Sequence, residues 1–223
     1  MTEAADPGSV DAGYFRQCYD ASPDPWGLAE RWYEARKYAI SLALLPRERY
    51  DSAFEPGCSI GVLAARLAPR CASLLSCDAI PDAVAAARRR TAEFPGVQVV
   101  RRAIPGDWPA GEFDLIVFSE ILYYFGDEDL SRVLRHAVRA LRPDGHLLAV
   151  HWRHPAAEHA RSGDDAHQML RGYGAGASDG HGAAGGQGAL ARLAGYRDAD
   201  FIAEVFTHAD GDLRSVAQAD GIV

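Results

Sequence analysis

Residues 50–68, "YDSAFEPGCSIGVLAARLA", contain the turn on which the interpretation of the fold depends. The first part, "SAFEP", has the character of a short strand, and residues 61–68 have that of a helix. Between them lies a turn that is rich in glycine. The stretch therefore predicts a strand, a tight turn and a helix, which is the repeating unit of α/β folds.

Outward from this stretch, predicted strands and helices alternate along the chain. Further strands are expected at 73–78, 97–101, 112–120 and 146–152, with helices at 81–94 and 128–145. Continuous apolar runs such as "LIVF" are typical of strands that are covered on both faces. We therefore predict an α/β fold with a mostly parallel sheet and helices on both faces.

The two ends of the chain depart from this alternation. Residues 1–20 are interpreted as a loose N-terminal arm, after which "SPDPWG" predicts a helix with Asp24 as its N-cap and Pro25 at its first position. Near the other end, the glycine-rich residues 172–188 are predicted to be a mobile insertion, and residues 198–208 an edge strand. The whole of 1–223 is expected to form one domain.

Composition excludes several classes of function. The chain has 223 residues, 48% of them hydrophobic, and a net charge of −8, which disfavours binding to nucleic-acid phosphates. No stretch is apolar enough to span a bilayer, and the N-terminus lacks the apolar segment of a signal peptide. The four cysteines form no Cys-x-x-Cys pair, so we expect reduced thiols and a cytoplasmic location.

The glycine-rich turn fits two motifs. Gly57, Ser59 and Gly61 match the Gly-x-Ser-x-Gly of a hydrolase nucleophile elbow, whereas Glu55 before them is typical of a cofactor loop. A hydrolase also needs an oxyanion donor from an earlier strand–helix loop, and nothing strand-like precedes residue 51. The cofactor interpretation is therefore favoured.

The charges around the turn favour one cofactor over another. Asp78 ends the second strand, 23 positions after Glu55, where a carboxylate can accept both ribose hydroxyl groups. Glu55 would repel the pyrophosphate of NAD but would suit an ammonium group. S-adenosylmethionine has an ammonium, a sulfonium and a ribose diol and carries no phosphate, so it is the predicted cofactor, with S-adenosylhomocysteine as its product.

Five blocks resemble S-adenosylmethionine-dependent methyltransferases of the NodS type: "DPWGLAERWYEARKYAISLALLP", "FEPGCSIGVL", "CDAIPDAVAAAR", "FDLIVFSEILYYF" and "HLLAVHWRH". The resemblance implies a Rossmann-like sheet of seven strands with an N-terminal helical cap. It also implies N-methylation of an amine on a sugar or a similar small metabolite. O-methylation and cofactor binding without catalysis are the alternatives. Amino-group DNA methyltransferases carry an Asn/Asp-Pro-Pro-aromatic motif where this chain has "SEILYY".

The resemblance assigns roles to individual residues. Glu55, Gly57, Ser59 and Gly61 would form the cofactor loop, Asp78 would bind the ribose, and Ala79 and Ile80 would contact the adenine. The chain departs from the pattern at Ser59, which replaces a glycine, and at "RRAIPGDWP", where backbone at Ala103 and Ile104, or Asp107, would hold the adenine amino group. Ser119 and Glu120 would face the transferred methyl group.

Two further groups of residues are candidates for chemistry. His151 follows the last central strand and is the predicted general base, with Glu120 orienting the amine. Arg36 or Lys37 is a candidate for the cofactor carboxylate. A metal site at His151, His154 and His159 is disfavoured, because the spacing fits no helix face and methyl transfer needs no metal. The sequence predicts no oligomeric state.

Overall fold

The computed structural model describes residues 8–173 and 189–223, and a single seven-stranded sheet organises them. Its strands are Tyr50–Pro56 (β1), Cys71–Asp78 (β2), Val97–Arg101 (β3), Phe113–Ser119 (β4), Leu141–Trp152 (β5), Leu190–Arg197 (β6) and Phe201–His208 (β7). The spatial order is β3-β2-β1-β4-β5-β7-β6. The first five strands in this order are parallel, and β7 is antiparallel to both of its neighbours. The predicted Rossmann-like, mostly parallel sheet is confirmed.

Helices cover both faces of this sheet. They are Ala12–Ala21 (α1), Trp32–Leu44 (α2), Val62–Leu67 (α3), Pro81–Arg90 (α4), Asp127–Ala140 (α5), Gly163–Gly172 (α6) and Val216–Ala219 (α7), with 3₁₀ turns at Ala68–Arg70 and Leu122–Tyr124. Along β4, Leu115 and Val117 pack in the core layer that includes α1 to α3, whereas Ile116 and Phe118 pack in the layer with α5 and α6. Successive side chains of a strand point to opposite faces, so both sides of the sheet are buried.

The N-terminal arm differs from its prediction. Residues 12–20 belong to α1, whose N-cap Asp11 accepts a hydrogen bond from the backbone N–H of Gly13. The backbone N–H of Val10 donates to the carbonyl of Tyr124 over 2.8 Å, and Tyr19 is buried in the core. The segment from residue 8 onward is therefore tied to the domain, while residues 1–7 lie outside the described residues.

The next helix begins later than predicted. Asp24 does act as a cap, since its carboxylate accepts from the backbone N–H groups of Leu28 and Ala29, but it caps a turn. Gly27 has a φ of +67°, which interrupts helical geometry. α2 then starts at Trp32, which is 77% exposed although it is apolar.

The C-terminal half also departs from the prediction. β7 lies inside the sheet between β5 and β6, so residues 198–208 are not an edge strand. β6, which the sequence analysis did not predict, lies at that edge. Gly172 ends α6, and the rest of the predicted insertion, 174–188, lies outside the described residues. Within the described chain, no helix is long and apolar enough to cross a membrane.

Candidate active site

The turn between β1 and α3 has the backbone of a glycine-rich ligand loop. Gly57 and Gly61 have φ values of +71° and +78°, which glycine adopts without strain. A Cβ atom on Gly57 would lie 2.6 Å from Ile121 Cδ1, and one on Gly61 would lie 2.8 Å from Ala87 Cα. Ser59 between them also has a positive φ, +49°. The glycines are therefore required both for conformation and for close packing.

Asp78 connects this loop to the end of β2. Its Oδ2 accepts a hydrogen bond from the backbone N–H of Ser59 over 2.9 Å, and its Oδ1 accepts from that of Ile80 over 3.0 Å. Burial raises the pKa of the carboxyl group, and the backbone donors oppose that rise. Both oxygens keep further lone pairs for a ligand, because each carboxylate oxygen can accept more than one hydrogen bond.

Glu55 lies beneath the same loop. It is 2% exposed, and its Oε2 accepts a hydrogen bond from the Ser76 hydroxyl over 2.7 Å. Burial raises its pKa to about 8, and the neighbouring Asp78 carboxylate contributes to the rise. A carboxyl group held in this way favours a cation beside it, because a positive charge lowers the free energy of the ionised form.

Ser59 has no hydrolase arrangement around it. Its hydroxyl pairs with the Tyr19 hydroxyl of α1 over 2.5 Å rather than with a histidine. Tyr19 in turn packs edge-on against Trp26, with ring centroids 5.6 Å apart. The serine hydroxyl therefore links the loop to α1 by a hydrogen bond. This supports the cofactor interpretation of the turn.

A cavity of about 500 Å³ opens next to the loop at the carboxyl ends of β1, β2 and β4. Most of the predicted site residues line it, namely Glu55, Gly57, Ser59, Asp78, Ala79, Ile80, Ala103, Ile104, Ser119 and Glu120. Asp107 does not reach back to it, because its carboxylate pairs with Arg102 over 2.7 Å. Three predicted residues, Gly61, His151 and Arg36, are not part of the lining.

Glu120, at the end of β4, is held by three donors. Lys37 Nζ lies 2.5 Å from its Oε1, while its Oε2 accepts from the Tyr123 hydroxyl over 2.7 Å and from the backbone N–H of Trp152 over 2.8 Å. Its φ of +56° is a left-handed conformation that costs a residue with a Cβ atom about 1 kcal/mol or more. Such strain is common where a side chain is aimed at a binding site.

Lys37, a sequence candidate for the cofactor carboxylate, instead pairs with two carboxylates of the protein. It is 2% exposed, and its ammonium group lies between Glu120 and Glu34, 2.9 Å from Glu34 Oε2. Burial lowers its pKa, but the two carboxylates outweigh this effect and raise it, so the group stays charged. The i,i+3 spacing of Glu34 and Lys37 was the available sequence signal, and it equally fits a solvated helix face.

His151 is not placed to act as the general base. It is fully buried, its Nε2 accepts from the backbone N–H of Leu122 over 3.1 Å, and its Nδ1 lies 3.0 Å from His167 Nε2. His167 Nδ1 pairs in turn with Glu204 over 2.7 Å. Burial lowers the pKa of His151, and both ring nitrogens are occupied. The residue therefore supports the segment after β4 from behind the cavity.

Arg36 is not placed to bind a cofactor carboxylate. Its guanidinium pairs with Asp198 over 2.8 Å and with the Tyr196 hydroxyl over 2.5 Å, at the β6–β7 end of the sheet. Arg31, the residue immediately before α2, does line the cavity and is exposed. Arg31 is therefore the better placed cation for a carboxylate that enters the cavity.

The lining of the cavity also contains aromatic and acidic residues. They come from α1, from the segment after β4 and from the loop after β5, and include Phe15, Tyr123, Tyr124, Glu158 and His159. The sequence analysis considered His159 only as a metal ligand. Within residues 8–173 and 189–223, no group of three or more His, Cys, Asp or Glu side chains could hold a metal ion.

A family model described as Nodulation protein S (NodS) matches residues 14–159, which is more than half of the chain. The chain belongs to the NodS family. Nodulation protein S of Rhizobium tropici is 34% identical over 130 residues, and that of Bradyrhizobium diazoefficiens is 35% identical over 130 residues. Each alignment covers 57% of this chain, but only 55% and 62% of those relatives. The match thus spans little more than half of their length.

Solved structures agree with the family assignment. A crystal structure from Pseudomonas syringae, of a protein proposed to be a methyltransferase, is 43% identical with a TM-score of 0.66, covering 80% of this chain and 100% of that one. The N-methyltransferase NodS of Bradyrhizobium japonicum WM9, in complex with S-adenosylhomocysteine, has a TM-score of 0.72 at 24% identity. That alignment covers 87% of this chain and 98% of the other. At this identity it establishes the fold.

Proposed function

We propose that this NodS-family protein is a methyltransferase that uses S-adenosylmethionine to methylate an amine of a small acceptor. The observation that carries the proposal is Asp78, fixed at the end of β2 against the backbone of the glycine-rich loop and facing the cavity. The fold of the NodS N-methyltransferase that binds S-adenosylhomocysteine supports the same conclusion.

The residues of the cavity fit the predicted cofactor. Asp78 would accept the ribose hydroxyls and Glu55 would attract the ammonium group, while apolar side chains would contact the adenine: Ala79, Ile80 and Ile104, with Ala103 beside them. When bound, the cofactor supplies a methyl group that its sulfonium already activates. The protein then has to exclude water and place the acceptor nitrogen in line with the carbon–sulfur bond.

The charge of the cavity supports a cationic acceptor. Acidic groups outnumber basic ones in the lining even without Glu55, whose pKa burial raises to about 8: Asp11, Glu34, Asp78, Glu120, Asp129 and Glu158 are present against Arg31, Lys37 and Arg102. Like-signed groups in a cleft raise the local concentration of ligands of opposite charge. An alcohol acceptor would gain nothing from this field, so we favour N-methylation over O-methylation, with amino sugars as the first acceptors to test.

The proposal also covers partners and location. A small molecule is the expected partner, because the cavity has a volume of about 500 Å³ and the chain carries a net charge of −8 that disfavours nucleic acid. We propose the cytoplasm as the site of action. The four cysteines, Cys18, Cys58, Cys71 and Cys77, are free thiols, which fits a reducing compartment.

Two measurements test the function. Calorimetry should detect binding of S-adenosylhomocysteine and none of NAD. Labelled S-adenosylmethionine should then transfer its methyl group to glucosamine-type sugars, with the corresponding neutral sugars, which have a hydroxyl in place of the amine, as the matched control. Binding of NAD alone would overturn the cofactor assignment. Equal labelling of the neutral sugars would overturn the preference for an amine and favour O-methylation.

A further inference from the structure

His159 has a fixed position in the lining of the cavity. Its ring stacks on Tyr123 with centroids 3.8 Å apart and planes inclined by 15°, and it meets Tyr124 edge-on at 5.1 Å. The loop that carries it is anchored by the backbone N–H of Ala160, which donates to the Tyr123 carbonyl over 2.9 Å. Packing and the backbone therefore orient the imidazole without using its nitrogens.

The ring nitrogens of His159 are available to a ligand. Among the described residues, no side chain or backbone group makes a hydrogen bond to them, and the half-buried ring lines the cavity. The other histidines nearby differ in this respect. His151 lies outside the cavity lining, and both of its ring nitrogens already have hydrogen-bond partners. His154 is exposed, and its Nε2 pairs with Asp200 over 2.9 Å.

The surroundings of His159 keep it neutral. Burial lowers its pKa, and the carboxylates of Glu158 and Glu120, which act in the opposite direction, do not outweigh this. The hydroxyl-bearing rings next to it, Tyr123 and Tyr124, have pKa values raised by burial and stay protonated. An imidazole in this state can accept a proton near neutral pH.

Glu120 is already bonded to other parts of the protein in spite of its position at the cavity. Three donors from Lys37, Tyr123 and the Trp152 backbone occupy its two oxygens, and one of them is a charged ammonium group. Tyr123 links the two groups, because its hydroxyl bonds Glu120 while its ring supports His159.

We propose that His159 is the catalytic base that removes the proton from the acceptor ammonium group. The inference rests on the proposed function, since it requires an amine acceptor. A ring nitrogen of His159 takes one N–H proton, which frees the lone pair of the amine. That lone pair forms the nitrogen–carbon bond as the carbon–sulfur bond breaks, and the electrons of the broken bond stay on sulfur. The imidazolium then releases its proton to solvent at the mouth of the cavity.

The test compares His159→Ala and His159→Gln with His154→Ala, a histidine of the same loop that lies outside the cavity lining. Both His159 variants should lower kcat by about 10²- to 10⁴-fold, while affinity for S-adenosylhomocysteine and the kcat of His154→Ala stay near wild type. Turnover of the wild type should fall as pH drops through a value below 6.5, because the base must be neutral. The variants should lose this step, and added imidazole should restore activity to His159→Ala.

The possible outcomes distinguish a failure of the proposed function from a failure of the role proposed for His159. A wild-type protein that binds S-adenosylhomocysteine but methylates no amine overturns the proposed acceptor and the base together. An active wild type whose His159 variants keep its kcat and pH profile overturns only the role of His159. A loss of turnover that keeps the wild-type pH step and does not respond to imidazole also overturns it, because His159 would then only support the ring of Tyr123.

Discussion

Replacing Lys37 by methionine should destabilise the protein far more than the same change at Arg36, its neighbour in α2. The Lys37 ammonium is 2% exposed and compensates the charges of Glu34 and Glu120. Methionine has a similar length but leaves both carboxylates without their cation. Arg36 pairs with Asp198 near the surface, where the side chain is 36% exposed, so it is a matched control of the same charge.

The magnitude follows from the burial of the pair. Removing one partner of a buried ion pair costs about 3–5 kcal/mol, whereas an exposed pair contributes about 0–1 kcal/mol. For a chain of 223 residues, each kcal/mol lowers Tm by about 2–4 °C. Lys37→Met should therefore lower Tm by about 6–20 °C and Arg36→Met by no more than about 4 °C.

The pH dependence gives a second and independent readout. Burial already raises the pKa of Glu34, and losing the lysine raises it further. The folded variant then binds a proton more tightly than the unfolded chain does, so it regains stability as the pH falls. Urea unfolding at pH 8 and at pH 6 should show a smaller difference from wild type at pH 6. Adding Glu34→Gln to Lys37→Met should recover part of the loss. A Lys37→Met variant that loses less than about 1 kcal/mol at both pH values would refute the argument.

Three further predictions concern the glycine-rich loop with Asp78 and the hydrogen-bonded chain of His151, His167 and Glu204. Asp78→Ala should weaken S-adenosylhomocysteine binding in calorimetry by about tenfold or more, because a charged acceptor makes hydrogen bonds of about 1.5–3 kcal/mol each, whereas Ser59→Ala should change it less. Gly61→Ala should lower the free energy of unfolding by about 1–3 kcal/mol in urea titrations, since its Cβ would press on Ala87 at 2.8 Å; an unchanged midpoint would contradict this. Burial alone would raise the pKa of Glu204, but a histidine and two arginines lower it to about 2, so its stabilisation is present above about pH 4.5 and lost as pH falls towards 2. Glu204→Gln should flatten that part of the stability–pH curve, and a curve that keeps the wild-type slope would count against it.

Local patterns predicted the sheet well and its edges poorly. Strands β1 to β4 and the apolar part of β5, residues 146–152, are short runs between turns and helices, and the chain has few alternatives for them. The first part of β5, residues 141–145, was predicted as the end of a helix and is strand. β6, by contrast, alternates weakly and is half exposed, and its place is set by pairing with β7. The position of β7 inside the sheet depends on that pairing, so the assignment of residues 198–208 as an edge could not be corrected from local pattern alone.

The candidate site shows the same division between local and long-range information. The glycine-rich loop and Asp78 were found because their roles follow from backbone geometry close to them in sequence. His151 was placed at the correct end of β5 but on the wrong face. Neighbouring side chains of a strand point to opposite faces, and Trp152 is the one that lines the cavity. His159, seven residues beyond the end of β5, has no regular element to predict its direction.

The buried face of α2 is mostly polar. This explains why the start of the helix was predicted too early and why the contacts of Lys37 were not predicted. Periodicity searches look for an apolar stripe, and the sequence offers one that includes Trp32, which is exposed. The residues of α2 that are buried are Glu34, Lys37, Tyr38 and Ser41. The Lys37 ammonium lies there between two carboxylates, those of Glu34 and of Glu120 at the end of β4, and Ser41 donates to the Lys37 carbonyl over 2.7 Å. A buried ion pair rarely improves stability over apolar packing of the same shape, so its presence beside the cavity is better explained by what Glu120 has to do. Lys37 fixes the position of that carboxylate in the cavity lining, where it would face a cationic acceptor.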